Sequence, residues 1–226
     1  MQALILAGGK GTRLRPLTND RPKAMILLNG KPLIEHAMLQ LPDAVSDIVI
    51  VTGYLGETIR AYFGDSWNGR SIQYVGQKEQ LGTWNAVLTA KELIREKFIM
   101  NYCDDIGDKE SFTEAARYDY AILVCPSEHP ERFGVVSENP DGTLKELVEK
   151  PEHPESNLVN AGTLVLSPDV LSVEPFKNER LGEYFLTDLV ALVARKEPVH
   201  VVHQKRWITV TYPEDVAKAE ALLKQP

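Results

Sequence analysis

Ala3 to Ala7 is an unbroken apolar run that stops at Gly8 and Gly9. A run this short and this apolar reads as a strand buried on both faces, because a half-exposed strand would alternate polar and apolar residues. Such a strand needs a layer of structure on each side of it. The glycines that end it open a loop, Gly8-Gly9-Lys10-Gly11-Thr12-Arg13. Glycine lets successive backbone N–H groups converge on an anion, and Lys10, Arg13 and Arg15 add charged donors. The loop lacks the P-loop spacing, because Leu4 stands five residues before Gly9-Lys10. It lacks the dinucleotide fingerprint too, because Leu14 occupies the third glycine position after Gly9 and Gly11. Taken alone, the glycines suit either a phosphate cradle or a tight turn.

The strand-to-loop rhythm repeats. Leu33, Ile34, Ala37, Met38 and Leu41 recur at helical spacing behind Pro32, and Asp47 to Thr52 reads as a second buried strand ended by Gly53. A helix over Glu57–Phe63, a strand over Ser71–Val75, a helix over Trp84–Arg95 and a strand over Phe98–Tyr102 follow. This alternation predicts an α/β fold: a mostly parallel, doubly wound, Rossmann-like sheet flanked by helices, with ligands at the C-terminal strand ends. Gly8 and Asp104 both lie at such ends.

The second half differs. Phe133–Ser137 and Thr143–Val148 flank Asn139-Pro140-Asp141-Gly142, whose Asp-Gly pair signals a hairpin and so an antiparallel insertion. Helices over Glu183–Arg195 and Pro213–Lys224 enclose a strand over Val199–His203. No repeat or long linker interrupts the chain, so one domain over 1–226 is expected, with halves 1–125 and 126–226.

The net charge of -7 argues against broad attraction to nucleic acid or anionic membrane, so an anionic ligand must be held locally. Cys103 and Cys125 form no CxxC pair, which speaks against zinc and against a disulfide scaffold. His200 and His203 lie three apart in a strand-like run and point to opposite faces. No apolar run has transmembrane length and no signal-peptide pattern opens the chain, so a cytoplasmic protein is expected.

The stretch from Leu6 to Thr18, Leu-Ala-Gly-Gly-Lys-Gly-Thr-Arg-Leu-Arg-Pro-Leu-Thr, resembles the signature of the sugar-1-phosphate nucleotidylyltransferases. Arg21-Pro22-Lys23, Gly30-Lys31-Pro32-Leu33-Ile34, Gln80-Leu81-Gly82-Thr83, Phe133-Gly134-Val135-Val136, Glu149-Lys150-Pro151, Asn160-Ala161-Gly162 and Pro213-Glu214-Asp215 resemble its further landmarks, in order. The likeness spans nearly the whole chain and stops short of the β-helical extension that some members carry. It implies that a sugar 1-phosphate attacks the α-phosphate of a nucleoside triphosphate and expels pyrophosphate. Positioning and charge neutralisation dominate such displacements. The resemblance places Leu6, Gly8, Gly9, Gly11 and Thr12 on the nucleotide, Arg13 on the leaving pyrophosphate and Lys23 near the α-phosphate. It puts Gln77 and Gly82 at the base and Gly134, Glu149, Lys150 and Asn160 on the sugar-phosphate side. Asp104 falls where the family has a carboxylate for Mg²⁺. A homo-oligomer is compatible with it.

Several positions depart from the family pattern. Cys103 replaces the glycine before the metal-binding aspartate, Thr209 stands where a second aspartate is expected two residues after Trp207, and Tyr212 and Trp84 replace small residues. A threonine hydroxyl is a poorer magnesium ligand than a carboxylate, so weaker metal binding and weaker transfer are expected. An alternative is a binding protein whose pocket is rebuilt around another small molecule, with Trp84, Tyr102, Cys103 and Tyr212 as walls. A metal-dependent glycosyltransferase using Asp104 and Asp105 is a weaker third reading, because a triphosphate loop suits a free triphosphate.

Overall fold

Side chains along β1 (Gln2–Ala7) alternate between two layers. Leu4 and Leu6 enter one apolar cluster, while Ala3, Ile5 and Ala7 enter another on the opposite face of the sheet. The two-sided burial predicted for this run is therefore present. A computed structural model describes residues 1–224 of the chain. Residues 225–226 of the expected domain lie outside the described residues.

After the glycine-rich loop, β2 (Leu27–Leu28) and β3 (Lys31–Pro32) form a small hairpin leading into α1 (Leu33–Met38). Next come β4 (Asp47–Thr52), α2 (Gly56–Phe63), β5 (Ser66–Trp67), β6 (Arg70–Gly76), α3 (Thr83–Thr89) and β7 (Phe98–Tyr102). Then follow β8 (Asp105–Ile106), α4 (Lys109–Ala115) and β9 (Ala121–Pro126). The second half adds β10 (Gly134–Glu138), β11 (Leu144–Glu149), β12 (Leu158–Leu166), α5 (Leu186–Val193), β13 (His200–His203), β14 (Ile208–Thr209) and α6 (Pro213–Leu222).

In the ten-stranded sheet, β7, β1, β4 and β6 lie side by side and parallel. Helices α3 and α5 contribute Trp84, Val87, Leu186 and Leu189 to the cluster on one face. Helices α1, α2 and α4 contribute Ile34, Ile59, Phe63 and Phe112 to the other. The doubly wound, Rossmann-like reading holds. The antiparallel hairpin is also present, pairing Val135 with Val148, and it extends the main sheet through Val135 and Val159 of β12. A smaller cluster, including Leu14, Ile26, Ile208 and Ala219, packs α6 beneath the glycine-rich loop. Among the described residues no helix is long and apolar enough to cross a membrane.

Three helices are shorter than the periodicity predicts: α6 ends at Leu222 instead of Lys224, and the other two differ where distant hydrogen bonds act. The helix expected over Trp84–Arg95 ends at Thr89. Beyond it the Gln2 side chain accepts from Arg95 N (2.7 Å) and Glu96 N (3.3 Å) and donates to Leu93 O (3.0 Å), which fixes this segment in turns. The helix expected from Glu183 starts at Leu186. Before it, Tyr184 N donates to Leu81 O (3.1 Å) and Leu186 N to Thr83 Oγ1 (2.9 Å), so the chain is held extended there.

Candidate active site

The loops after β1, β6 and β7 line a cavity of about 460 Å³ at one end of the sheet. Close backbone approach shapes it. A Cβ on Gly53 would lie 2.3 Å from the Gly8 carbonyl oxygen, so only glycine lets the loop after β4 support the loop after β1. Gln77 N donates to Thr52 O (2.8 Å), and Gln80 Nε2 donates to Gly8 O (2.7 Å), which ties the β6 loop across the glycine-rich loop. Leu6, Gly8, Gly9, Gly11, Thr12, Arg13, Lys23, Gln77, Gly82, Tyr102, Cys103 and Asp104 all line this cavity. The structure thus gathers, around a single concavity, residues picked from five separate stretches of sequence.

Its charged groups are few: Lys23 and Asp104 are partly buried, while Arg13 and Glu183 are exposed. Lys23 forms an ion pair with Asp104, their side chains only 14% and 21% exposed. Burial disfavours the ammonium, but Asp104 beside it, together with Cys103 and Asp105, outweighs that effect and holds the Lys23 pKa above the ordinary lysine value. Lys23 is therefore a fixed positive charge, oriented by a carboxylate. The Arg13 guanidinium sits 5.8 Å from the centre of the Tyr212 ring, a cation–π contact that braces it. Burial pushes the Cys103 thiol and the Tyr102 hydroxyl well above their ordinary values, so both are neutral walls.

The adjacent aspartates diverge because Cys103 and Asp104 form a turn between β7 and β8, whereas Asp105 opens β8. Asp104 faces the cavity, while Asp105 is buried and accepts from Trp207 Nε1 (2.9 Å). Burial raises the Asp105 pKa, with repulsion from Asp104 adding to it and hydrogen bonds from Thr209 and Trp207 opposing it. Thr209 pairs with Asp105 across the β8–β14 ladder. It lies outside the cavity wall, where Thr211 is found instead. Among the described residues no group of three or more His, Cys, Asp or Glu converges as a metal cage. Magnesium seldom needs one, because it takes one or two carboxylates and fills its octahedron with substrate phosphates and water, so Asp104 in a phosphate-sized cavity fits it.

Gly134, Glu149, Lys150 and Asn160 are not among the residues that line the cavity. Glu149 Oε2 accepts from Thr187 Oγ1 (2.8 Å), and Lys150 Nζ sits 3.6 Å from Glu149 Oε1 and 4.9 Å from the centre of the Phe185 ring. Burial raises the Glu149 pKa, with Thr187 and Lys150 opposing it. Gly134 pairs with Glu149 across the hairpin, and Asn160 Oδ1 accepts from Gly162 N (3.0 Å).

Trp84 requires a correction. Expected as a pocket wall, it is 0% exposed, packs edge-on to Phe176 at 5.2 Å, and belongs to the core under α3. The rebuilt apolar pocket thereby loses its largest wall. Tyr212 also lies off the cavity lining, acting through Arg13, and its N–H and that of Thr211 donate to Asp215 Oδ2 at 2.8 and 2.9 Å to start α6. The structure adds Leu14, Gln80, Thr83, Ala86, Glu183 and Thr211 to the cavity. Gln80 and Thr83 flank Gly82 in a stretch already singled out; nothing local in the sequence marks Glu183.

A sequence model described as nucleotidyl transferase matches residues 2–225. The chain is 37% identical over 239 residues to the UTP–glucose-1-phosphate uridylyltransferase AglF of Haloferax volcanii, covering 100% of this chain and 97% of that one. It is 37% identical over 225 residues to the bifunctional protein GlmU of Methanocaldococcus jannaschii, covering 99% of this chain but 54% of that one. The chain thus spans nearly all of one relative and about half of the other. Among solved structures, a putative glucose-1-phosphate thymidylyltransferase of Bacillus anthracis, in complex with sucrose, superposes with a TM-score of 0.88 at 25% identity, covering 100% of this chain and 96% of that one. A UDP-glucose pyrophosphorylase complexed with UDP-glucose gives a TM-score of 0.83 at 25% identity, over 99% and 98% of the two chains.

Proposed function

The chain belongs to the nucleotidyl transferase family, and on that premise we propose that it transfers a nucleotidyl group from a nucleoside triphosphate to a sugar 1-phosphate, releasing pyrophosphate. The observation that carries this reading is the convergence of the glycine-rich loop, Arg13, Lys23 and Asp104 on one cavity.

A phosphate oxygen of the sugar 1-phosphate attacks the α-phosphorus. The bond from that phosphorus to the bridging oxygen of the β-phosphate breaks, and its electron pair leaves with pyrophosphate. The Gly8–Thr12 backbone cradles the triphosphate, with Leu6 beneath the nucleoside. Lys23, already charged and held by Asp104, steadies negative charge at the α-phosphate. Arg13 steadies the departing pyrophosphate. Gln77 and the backbone at Gly82 read the base with amide donors and acceptors. Glu149 accepts from sugar hydroxyls and Lys150 faces the sugar phosphate, with Gly134 and Asn160 completing that side. Asp104 would hold Mg²⁺, which would supply further charge neutralisation when bound. Residues 1–125 would thus serve the nucleotide and residues 126–226 the sugar phosphate within one domain. Both substrates are small, charged and water-soluble, which supports a cytoplasmic setting.

The first assay pair is UTP with glucose 1-phosphate, because AglF carries both in its name. Coupled detection of pyrophosphate should show release that needs both substrates and Mg²⁺. Lys23→Ala should lower kcat by about a hundredfold, the scale of removing one donor from developing charge. Full turnover by that variant would remove Lys23 from the mechanism.

A further inference from the structure

Residues 174–185, between β12 and α5, carry no regular structure, yet the chain there is bonded on both flanks. Asn178 closes it on itself: Oδ1 accepts from Arg180 N (3.2 Å) and Leu181 N (3.1 Å), and Gly182 N donates to the Asn178 carbonyl (2.8 Å). Asn178 Nδ2 donates to the Asp188 carboxylate (3.1 Å), which anchors the loop to α5. On the nucleotide flank, Tyr184 N donates to Leu81 O (3.1 Å) and Trp84 N to Tyr184 O (3.0 Å), while Glu183 lines the cavity. On the other flank, the exposed Arg180 reaches back to β11 and donates through Nη2 to the carbonyls of Glu149 and of Lys150, the latter at 2.9 Å.

The backbone that Arg180 grips is an unusual one. Lys150 has φ 44, in the left-handed region that side-chain-bearing residues rarely adopt, at the point where β11 ends. A charge-assisted donor shared by the two carbonyls of that turn favours it over the extended alternative. The turn also sets the direction of both side chains, Glu149 toward Thr187 and Lys150 over Phe185.

We propose that Arg180 is a positioning residue for the acceptor side of the site: it holds the Glu149–Lys150 turn in the geometry that presents carboxylate and ammonium to the sugar 1-phosphate. This rests on the transferase reading for the identity of the ligand, but the positioning itself is testable without turnover. The loop that bears Arg180 is pinned to Leu81 and Thr83, so the acceptor turn is indexed against the nucleotide wall. Loss of Arg180 frees the turn while leaving that second attachment in place.

The experiment compares wild type, Arg180→Lys and Arg180→Ala in two ways. Steady-state kinetics with UTP, glucose 1-phosphate and Mg²⁺ should give Arg180→Ala a rise of about tenfold or more in the KM for glucose 1-phosphate, with the KM for UTP within about twofold of wild type. Arg180→Lys should fall between, because an ammonium keeps the charge but sits on a shorter, more flexible stem than the planar guanidinium. Hydrogen exchange should show faster exchange at Lys150 N–H, which donates to Phe133 O at 2.9 Å, with Tyr184 and Trp84 N–H unchanged. Equal rises in both KM values would mean general loosening and overturn the proposal. So would unchanged protection at Lys150. Absence of transfer by the wild type would sink the transferase reading instead, and the exchange result would still decide what Arg180 does to the turn.

Discussion

Gly82 offers a sharp perturbation, because its backbone is both strained for any other residue and hemmed in. It has φ 131 and ψ 175, a region that essentially only glycine occupies. An added Cβ would lie 2.4 Å from the Tyr184 carbonyl oxygen and 2.7 Å from its nitrogen. Neither atom is free to yield, since Tyr184 N is bonded to Leu81 O and Tyr184 O to Trp84 N. The backbone conformation alone should cost about 1–3 kcal/mol in Gly82→Ala. Losing one of the two hydrogen bonds adds about 1 kcal/mol. A total of about 2–4 kcal/mol, at roughly 2–4 °C per kcal/mol for a domain of this size, lowers Tm by about 5–15 °C. Because Gly82 also lines the cavity, the KM for UTP should rise in the folded fraction. Differential scanning fluorimetry measures the first effect and steady-state kinetics the second. Gly76→Ala is the control, because a Cβ there meets nothing within 4 Å among the described residues. A Gly82→Ala protein with the Tm and nucleotide KM of wild type would refute the reasoning.

Trp84→Ala should destabilise by about 3–5 kcal/mol in denaturant titration, as deletion of a fully buried aromatic does. Trp84→Phe should cost less, because the buried indole N–H has no partner among the described residues; larger damage to nucleotide binding than to stability would restore Trp84 to the pocket. Glu149 gives a pH test. Burial raises its folded pKa, so below the unfolded value of about 4.3 both states are protonated and no penalty arises. As pH climbs from there through the raised folded pKa, a buried carboxylate must ionise and stability falls. Wild type should lose stability relative to Glu149→Gln over that rise; a gain would reverse the assigned sign.

The sequence is most legible where structure is local. Strands β4 and β7 have the bounds that apolar runs predict, because a strand buried on two faces tolerates few polar residues. The ends of α3 and α5 are not legible, because they depend on Gln2, Leu81 and Thr83, distant in sequence. Trp84 differs for another reason. Its place directly after Leu81-Gly82-Thr83 points to the pocket, while its helical spacing with Val87, both fully buried, points to the core. In the cavity, the glycine-rich loop and Lys23 stand out locally, whereas Glu183 reaches it only through a loop tied to other elements. Arg180 is hidden for the same reason: its partners are the carbonyls of Glu149 and Lys150, and backbone acceptors leave no pattern in a sequence.

The fate of each phosphate tests the proposed transfer most directly. With UTP labelled at the α-phosphate, glucose 1-phosphate and Mg²⁺, the label should move into a UDP-sugar, while label placed at the γ-phosphate should appear wholly in pyrophosphate. Chelation of Mg²⁺ and Asp104→Asn should each suppress both products together. Label from the γ-phosphate in inorganic phosphate or on the sugar, or α-label that stays in UTP under all conditions, would contradict nucleotidyl transfer at this site.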